Sequence, residues 1–157
     1  MIATECYPDT YLLKVFNVGR KMIRHVGTKG DVINYTRDNL GSLGIIDEDP
    51  DSAQPKELSS FQIIENFGNL TLMEKKNSSK IIKISPRIEE WFYKRAGYHK
   101  IDPLTYGLPR VADVLHSIPH YEEKRGFHDF LYRLLEDDEE IAVLKKWVKD
   151  HTQSVTR

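Results

Sequence analysis

Three acidic residues follow a short apolar run in the segment LGIIDEDP, which spans residues 43–50. Like charges placed side by side repel each other, so this arrangement favours either a bound divalent cation or a loop that faces water. In an extended chain, Asp47 and Asp49 point to one side and Glu48 points to the other. A pair of carboxylates on one side suits Mg²⁺, which takes one or two carboxylates and keeps several waters.

A further carboxylate, Glu5, follows the first apolar run of the chain. The pattern predicts strands over 1–7, 21–26 and 42–47, separated by two helices. The first helix is predicted to begin at Pro8 and Asp9 and to end at Gly19, and the second to be capped by Asp31 and to close before Gly41. Parallel strands bring their carboxyl ends to one edge of a sheet, where ligands gather. Glu5 is therefore expected beside Asp47 and Asp49.

The remainder of the chain changes from mixed to helical patterning. Residues 48–60 are polar and contain Pro50 and Pro55, which indicates a loop. The segment NLTLMEKKNSSKIIKISP predicts a hairpin around its NSS, and RIEEWFYKRAGY predicts a helix. After a connection over 99–110, residues 110–151 show only helical stripes of apolar residues. Strand–helix alternation followed by helices predicts an α/β fold with a mainly parallel sheet and a helical C-terminal extension.

Composition limits the classes of protein to which the chain can belong. Apolar residues make up 39% and charged residues 30% of its 157 residues, which is enough apolar content for a globular domain. The net charge of −1 gives no overall attraction to nucleic acid or to an anionic membrane, so such contacts need a local basic patch. A single cysteine, Cys6, permits no internal disulfide. With no apolar run long enough for a membrane span, we expect a cytoplasmic protein.

In its order of motifs the chain resembles the Toprim domain, which topoisomerases, bacterial primases, recombination mediators and OLD-type nucleases share. The resemblance covers roughly residues 1–95, and its specificity lies in the order and spacing of short motifs. The matching motifs are Glu5 in IATECYPD, Gly27 to Gly30 in VGTKGDVINYTRD, Asp47 and Asp49 in GIIDEDP, and Ile88-Glu89 in IIKISPRIEEW. It implies a Toprim-like, Rossmann-like domain over 1–109, with the extension over 110–157 packed on the same domain.

The resemblance implies magnesium-dependent phosphodiester chemistry, with manganese as a substitute metal. Asp47 and Asp49 would hold the metal, and Glu5 would transfer protons or serve as a further ligand. Glycine often follows the glutamate in this family, whereas Cys6-Tyr7-Pro8 stands here, and no tyrosine lies in a nucleophile motif. These departures disfavour a topoisomerase and leave a nuclease acting on DNA or RNA, in phage defence or a mobile element. A separate ATPase is an expected partner.

Two further residues are candidates for the same site. Lys29, in GTKGD, is a candidate phosphate ligand near a helix start, although an exposed turn lysine has the same pattern. Glu89 is a candidate metal ligand, although acidic residues also suit the first turn of a helix. His116 and His120 have a zinc-like spacing, but Pro119 interrupts the helix that would bring them together.

Two other functions remain open on the sequence alone. The restriction-endonuclease fold carries an Asp followed by Glu-x-Lys, which Asp49, Glu74 and Lys76 match. That fold leaves Glu5 and the early strand–helix alternation unexplained. A catalytically silent Toprim-like module is the other alternative, in which the helical tail binds a partner protein or a second subunit.

Overall fold

The computed structural model describes residues 1–76 and 79–155, and the strands of these ranges form one sheet. The strands are β1 (Ile2–Thr4), β2 (Ile23–His25), β3 (Leu43–Asp47), β4 (Gln62–Phe67), β5 (Leu70–Glu74) and β6 (Lys80–Ile84). Their order across the sheet is β2-β1-β3-β6-β5-β4. The four strands β2, β1, β3 and β6 are parallel, and β5 and β4 add an antiparallel edge. The predicted α/β fold with a mainly parallel sheet is confirmed.

Helices lie on both faces of the sheet. They are α1 (Tyr7–Val15), α2 (Lys29–Asp38), α3 (Ile88–Tyr98), α4 (Ala112–Ser117), α5 (Arg125–Asp137) and α6 (Glu139–Val155). The apolar side of α2 joins Ala3, Ile46 and Ile81 in a small core on one face. The other helices contribute to a larger core on the opposite face. None of the helices in the described ranges has both the length and the apolar character that a bilayer span requires.

The helical extension shares the larger core with the sheet. Phe127, Phe130 and Leu134 from α5 and Leu144 and Val148 from α6 belong to the same buried cluster as the strands. The cluster also contains strand residues Ile2, Leu43, Ile82 and Ile84. The apolar stripes that predict α5 and α6 are therefore buried within the chain itself.

Two predicted helix boundaries are wrong, and in each case a polar side chain explains the difference. Helix α1 ends at Val15 rather than at Gly19, because Asn17 adopts a left-handed conformation with φ 63°. The N–H of Val18 then donates to the carbonyl of Leu13, as in a Schellman motif. Helix α2 is capped by Thr28 and not by Asp31, whose backbone N–H donates to the Thr28 hydroxyl at 3.0 Å.

Strand β4 is absent from the predicted strands. Its pairing with β5 shifts between Ile63 and Glu65, which is a β-bulge, and the bulge removes the alternation by which a strand is recognised. The predicted hairpin is present as β5 and β6, which pair in antiparallel register. Residues 77 and 78 of its predicted turn lie outside the described residues.

Candidate functional site

Glu5 and Asp47 meet at the carboxyl edge of the parallel strands, as the sequence predicts. Strands β1 and β3 are neighbours, with Thr4 paired to Ile45, so the residues that follow both strands lie side by side. The backbone N–H of Asp47 donates to Oε2 of Glu5 at 3.1 Å. The carboxylate of Glu5 is therefore held by the backbone of Asp47.

Two helices bring further carboxylates to this edge. Asp9, in the first turn of α1, is 1% exposed, and its Oδ2 accepts a hydrogen bond from the backbone N–H of Cys6 at 3.3 Å. Glu89, in the first turn of α3, is 4% exposed. The N–H of Ile88, the first residue of α3, donates to Oδ2 of Asp47 at 3.2 Å. Helix N-termini carry partial positive charge, which suits carboxylates at these positions.

Glu89 is oriented by two side chains of the C-terminal half. The hydroxyl of Tyr121 donates to its Oε1 at 2.8 Å, and Nδ1 of His116 lies 3.2 Å from the same oxygen. Helix α4 ends at Ser117, so the helix places His116 near Glu89 but does not continue to His120. The helical extension therefore contributes directly to the site.

We call Glu5, Asp9, Asp47 and Glu89 the acidic cluster. Three of its buried oxygens accept no hydrogen bond from any described residue, namely Asp9 Oδ1, Asp47 Oδ1 and Glu89 Oε2. A buried polar atom without a partner costs about 1–3 kcal/mol, and more when it is charged. Such atoms call for a proton, a cation or an ordered water.

Burial and mutual repulsion raise the pKa values of three carboxyls of the acidic cluster, those of Glu5, Asp9 and Asp47. Burial raises the pKa of Asp9 from 3.8 to about 7, with Glu5 and Glu89 adding repulsion. Burial, followed by the charges of Asp9, Glu5 and Glu89, holds the pKa of Asp47 well above its usual range. The pKa of Glu5 is also raised by burial, and Lys29 partly offsets this effect. Without a bound cation, the cluster therefore retains protons that isolated carboxyls release.

Asp49 lies at the border of the acidic cluster rather than within it. The chain leaves the extended conformation there, because Asp49 adopts a left-handed conformation with φ 40°. The premise that Asp47 and Asp49 belong to one extended stretch is therefore wrong. Oδ1 of Asp49 pairs with Nε of Arg87 at 3.4 Å, while its charge still contributes to raising the pKa of Glu5.

Lys29 is buried, so the interpretation as an exposed turn residue is wrong. Its ammonium donates to the carbonyl of Glu48 at 2.7 Å, the hydroxyl of Ser52 at 3.1 Å and Oε1 of Gln54 at 3.5 Å. These bonds fix the loop that follows β3. Phosphate binding by Lys29 stays a prediction, and a phosphate there would replace one of these three acceptors.

Compact metal-binding geometry occurs elsewhere in the described ranges. Two groups have three ligand atoms that all lie within 4.8 Å of one another, and these are His99, Asp138 and Glu139, and His120, Glu122 and Glu123. Arg95 already pairs with Asp138 at 2.6 Å and Glu139 at 2.8 Å, so the first group is neutralised by the chain itself. No three ligand atoms from the described residues Glu5, Asp9, Asp47, Asp49 and Glu89 lie that close together, so one cation does not reach three of these carboxylates in this conformation.

The three residues that match the restriction-endonuclease pattern, Asp49, Glu74 and Lys76, do not lie together. Leu43 pairs with Lys80, which pairs with Glu74, whereas Asp47 pairs with Ile84 at the other end of the same strands. Glu74 therefore lies four residues along β6 from the Asp47 end, which corresponds to about 13 Å. Lys76 follows Glu74 beyond that far end. Asp49, Glu74 and Lys76 do not line one site.

Sequence reasoning missed Asp9 and Tyr121. The sequence predicts Asp9 only as part of a helix start, and the usable signal is that this helix begins directly after the strand end that carries Glu5. Tyr121 carries no local signal, because it reaches Glu89 from another part of the chain. Burial, with the charges of Asp9 and Asp47, raises the pKa of the Cys6 thiol, so this cysteine remains a protonated neighbour of the cluster.

Comparison of the chain with protein-family models, with curated proteins and with solved structures found no match. The resemblance to the Toprim domain therefore rests on the motifs and their positions.

Proposed function

We propose that the chain is a magnesium-dependent phosphoryl-transfer enzyme, namely a nuclease that cleaves phosphodiester bonds at the acidic cluster. The observation that carries the proposal is the set of three buried carboxylate oxygens, on Asp9, Asp47 and Glu89, that accept no hydrogen bond from the described residues. Hard, unpartnered oxygens with repelling charges are suitable ligands for Mg²⁺ or Mn²⁺. A divalent cation bound directly to two of them, with a coordinated water on the third, would offset the repulsion.

Asp47 would hold the metal with one of Asp9, Glu89 and Asp49, and waters would complete its coordination, because no three of these described carboxylates offer ligand atoms within 4.8 Å of one another. When bound, the metal supplies Lewis acidity and an activated water. The hydrogen bond from Asp47 N–H orients Glu5 for proton transfer or as an additional ligand. Tyr121 fixes the rotamer of Glu89, and burial together with the Glu89 charge raises the pKa of the Tyr121 hydroxyl, so it stays a donor.

The substrate assigned by this proposal is DNA or RNA. The setting in phage defence or a mobile element and the separate ATPase partner rest on the Toprim resemblance. The alternative of a silent partner-binding module is supported by Val111 and Val114, which are 53% and 47% exposed. The apolar stripes of α5 and α6 are instead buried in the core of the chain. These stripes offer no apolar surface to another protein.

The decisive experiment measures cleavage of supercoiled plasmid and of labelled DNA and RNA strands, in Mg²⁺, in Mn²⁺ and in EDTA. The wild type is compared with Asp47→Asn, which keeps the shape of the side chain but removes its charge. Asp150→Asn is the matched control, because Asp150 is an exposed carboxylate on α6. We expect metal-dependent cleavage that Asp47→Asn abolishes and Asp150→Asn retains.

Cleavage that survives in Asp47→Asn contradicts the proposed site. If the wild type cleaves none of these substrates but binds Mg²⁺ in an Asp47-dependent manner, the metal site stands and the nuclease assignment falls. The absence of both cleavage and metal binding favours the silent module.

A further inference from the structure

A groove on the face of the sheet that carries α2 opens beside the edge strands β4 and β5. One depression of about 600 Å³ has Lys56, Lys83, Phe61 and Met73 in its wall. An adjoining depression of about 550 Å³ has Lys75, Lys76 and Glu74 in its wall. Both depressions share Ile63, which pairs with Met73 across the two strands. We call the two depressions together the lysine groove.

The charge of the lysine groove differs from that of the whole chain. Four lysines line it, and Glu74 is its one acidic lining residue among the described residues. The chain as a whole has a net charge of −1. A local excess of positive charge attracts a phosphate backbone, and each phosphate contact releases a counterion.

The floor of the lysine groove is apolar. Ile63 is 62% exposed, and the ammonium of Lys75 lies 5.8 Å from the ring centre of Phe61. A single strand of nucleic acid presents unpaired bases for the exposed Ile63 side chain and a charged backbone for the lysines, while Phe61, at 8% exposure, offers no stacking face. An acidic peptide matches only the charge. Protection of a sheet edge does not explain the lysines, because β4 itself contains none.

The lysine groove leads toward the acidic cluster. Lys83 is paired with Ile46, the neighbour of Asp47, and its ammonium lies 3.7 Å from Oε2 of Glu48. Lys75 and Lys76 follow Glu74 at the other end of these strands. The acidic cluster lies round the carboxyl edge from Lys83, toward the face that carries α1 and α3. We infer that the lysine groove binds single-stranded nucleic acid and directs its backbone to the acidic cluster, an inference that rests on the proposed function.

The test measures binding of a labelled single-stranded oligonucleotide in EDTA, so that no metal-dependent cleavage occurs. The variant is Lys56→Gln/Lys75→Gln/Lys76→Gln, which leaves Lys83 and the acidic cluster intact. The matched control is Lys94→Gln/Lys145→Gln/Lys146→Gln, which removes the same charge from exposed lysines of α3 and α6, on the opposite face of the sheet. A double variant, Lys56→Gln/Lys76→Gln, uses only exposed groove lysines and covers the case in which Lys75→Gln disturbs folding.

We expect the groove triple variant to bind about tenfold or more weakly, with the slope of log K against log salt reduced by about 2. The control triple variant should bind like the wild type, and duplex DNA should bind more weakly than the single strand. Equal losses in both triple variants, or equal competition by polyglutamate, overturn the inference. Normal binding by Asp47→Asn combined with no cleavage by the wild type overturns the proposed function and leaves the groove assignment standing.

Discussion

Helix α3 contacts two groups of buried acidic residues, one at its first turn and the other at its last turn. Glu89 belongs to the acidic cluster, whereas Arg95 lies among Asp138, Glu139 and Glu140. Asp138 is 2% exposed and Glu140 is 4% exposed, so both groups are similarly removed from water. The difference lies in their partners, because the second group contains a guanidinium, whereas no lysine or arginine of the described ranges forms an ion pair with the first.

The Arg95 group is satisfied by the chain itself. Arg95 donates to both buried carboxylates at 2.6 Å, the N–H of Ile141 donates to Asp138, and the N–H of Asn69 and the indole of Trp91 donate to Glu140. A buried carboxylate with a full set of donors ties elements together. The acidic cluster has backbone donors on one side and three free oxygens on the other. Burial of acidic residues alone therefore does not indicate a ligand site, whereas burial without enough hydrogen-bond donors or a paired cation does.

Removal of Arg95 gives the largest effect expected from this difference. Arg95→Gln leaves two buried carboxylates without their cation, so we expect the free energy of unfolding to fall by about 3–5 kcal/mol, measured by urea denaturation. The control is Arg37→Gln, since Arg37 pairs with Asp38 and Glu57 at an exposed site, and its removal should leave the urea midpoint nearly unchanged. Similar losses in both variants would mean that the Arg95 group does not stabilise the fold as described.

Removal of a charge from the acidic cluster should stabilise the fold, in contrast to removal of Arg95. The pKa of Asp9 is about 7 in the folded chain against 3.8 ordinarily, so the native state binds more protons and stability falls as pH rises through this window. Asp9→Asn removes this penalty. At about 1.4 kcal/mol per pKa unit, we expect the stability of Asp9→Asn relative to the wild type to rise by about 2–4 kcal/mol between pH 4 and pH 8 in EDTA.

The matched control for this pH series is Asp150→Asn, whose stability relative to the wild type should stay constant. Denaturant unfolding at each pH provides the values. A constant difference for Asp9→Asn as well would show that folding leaves the pKa of Asp9 unchanged, and the contrast with the Arg95 group would disappear.

Metal addition gives the smallest expected effect, and it tests directly whether the acidic cluster, unlike the Arg95 group, binds a cation. At a Mg²⁺ concentration about ten times Kd, binding to the native state should add about 1.4 kcal/mol, seen as a rise in Tm. The rise should be larger at pH 8 than at pH 5, because protons compete for the same oxygens. Asp47→Asn should abolish it, and Glu139→Gln, in the Arg95 group, should retain it. An equal rise in both variants would place the cation outside the acidic cluster.

The sequence was sufficient for the parallel strands and for the meeting of Glu5 with Asp47, because strand ends are local signals and parallel pairing aligns them. The sequence did not predict the orientation of Asp49. The left-handed conformation of this residue ends the extended stretch in which alternate side chains point to one side. The bulge in β4 hid a strand in the same way. Lys29 and Tyr121 act through partners 19 to 25 and 32 residues away, respectively, and such contacts leave no periodic trace in the sequence.

The shared core has a consequence for how the chain acquires its fold during synthesis. Ile2, in the first strand, and Val148, in the last helix, belong to one buried cluster. The ribosome delivers these residues at nearly opposite ends of translation, so α1 and α3 can cover part of β1 and β3 early, but the larger core is not complete until α6 emerges. Contacts so distant in sequence slow folding, and this interval is when the chain is most exposed to aggregation and most in need of a chaperone.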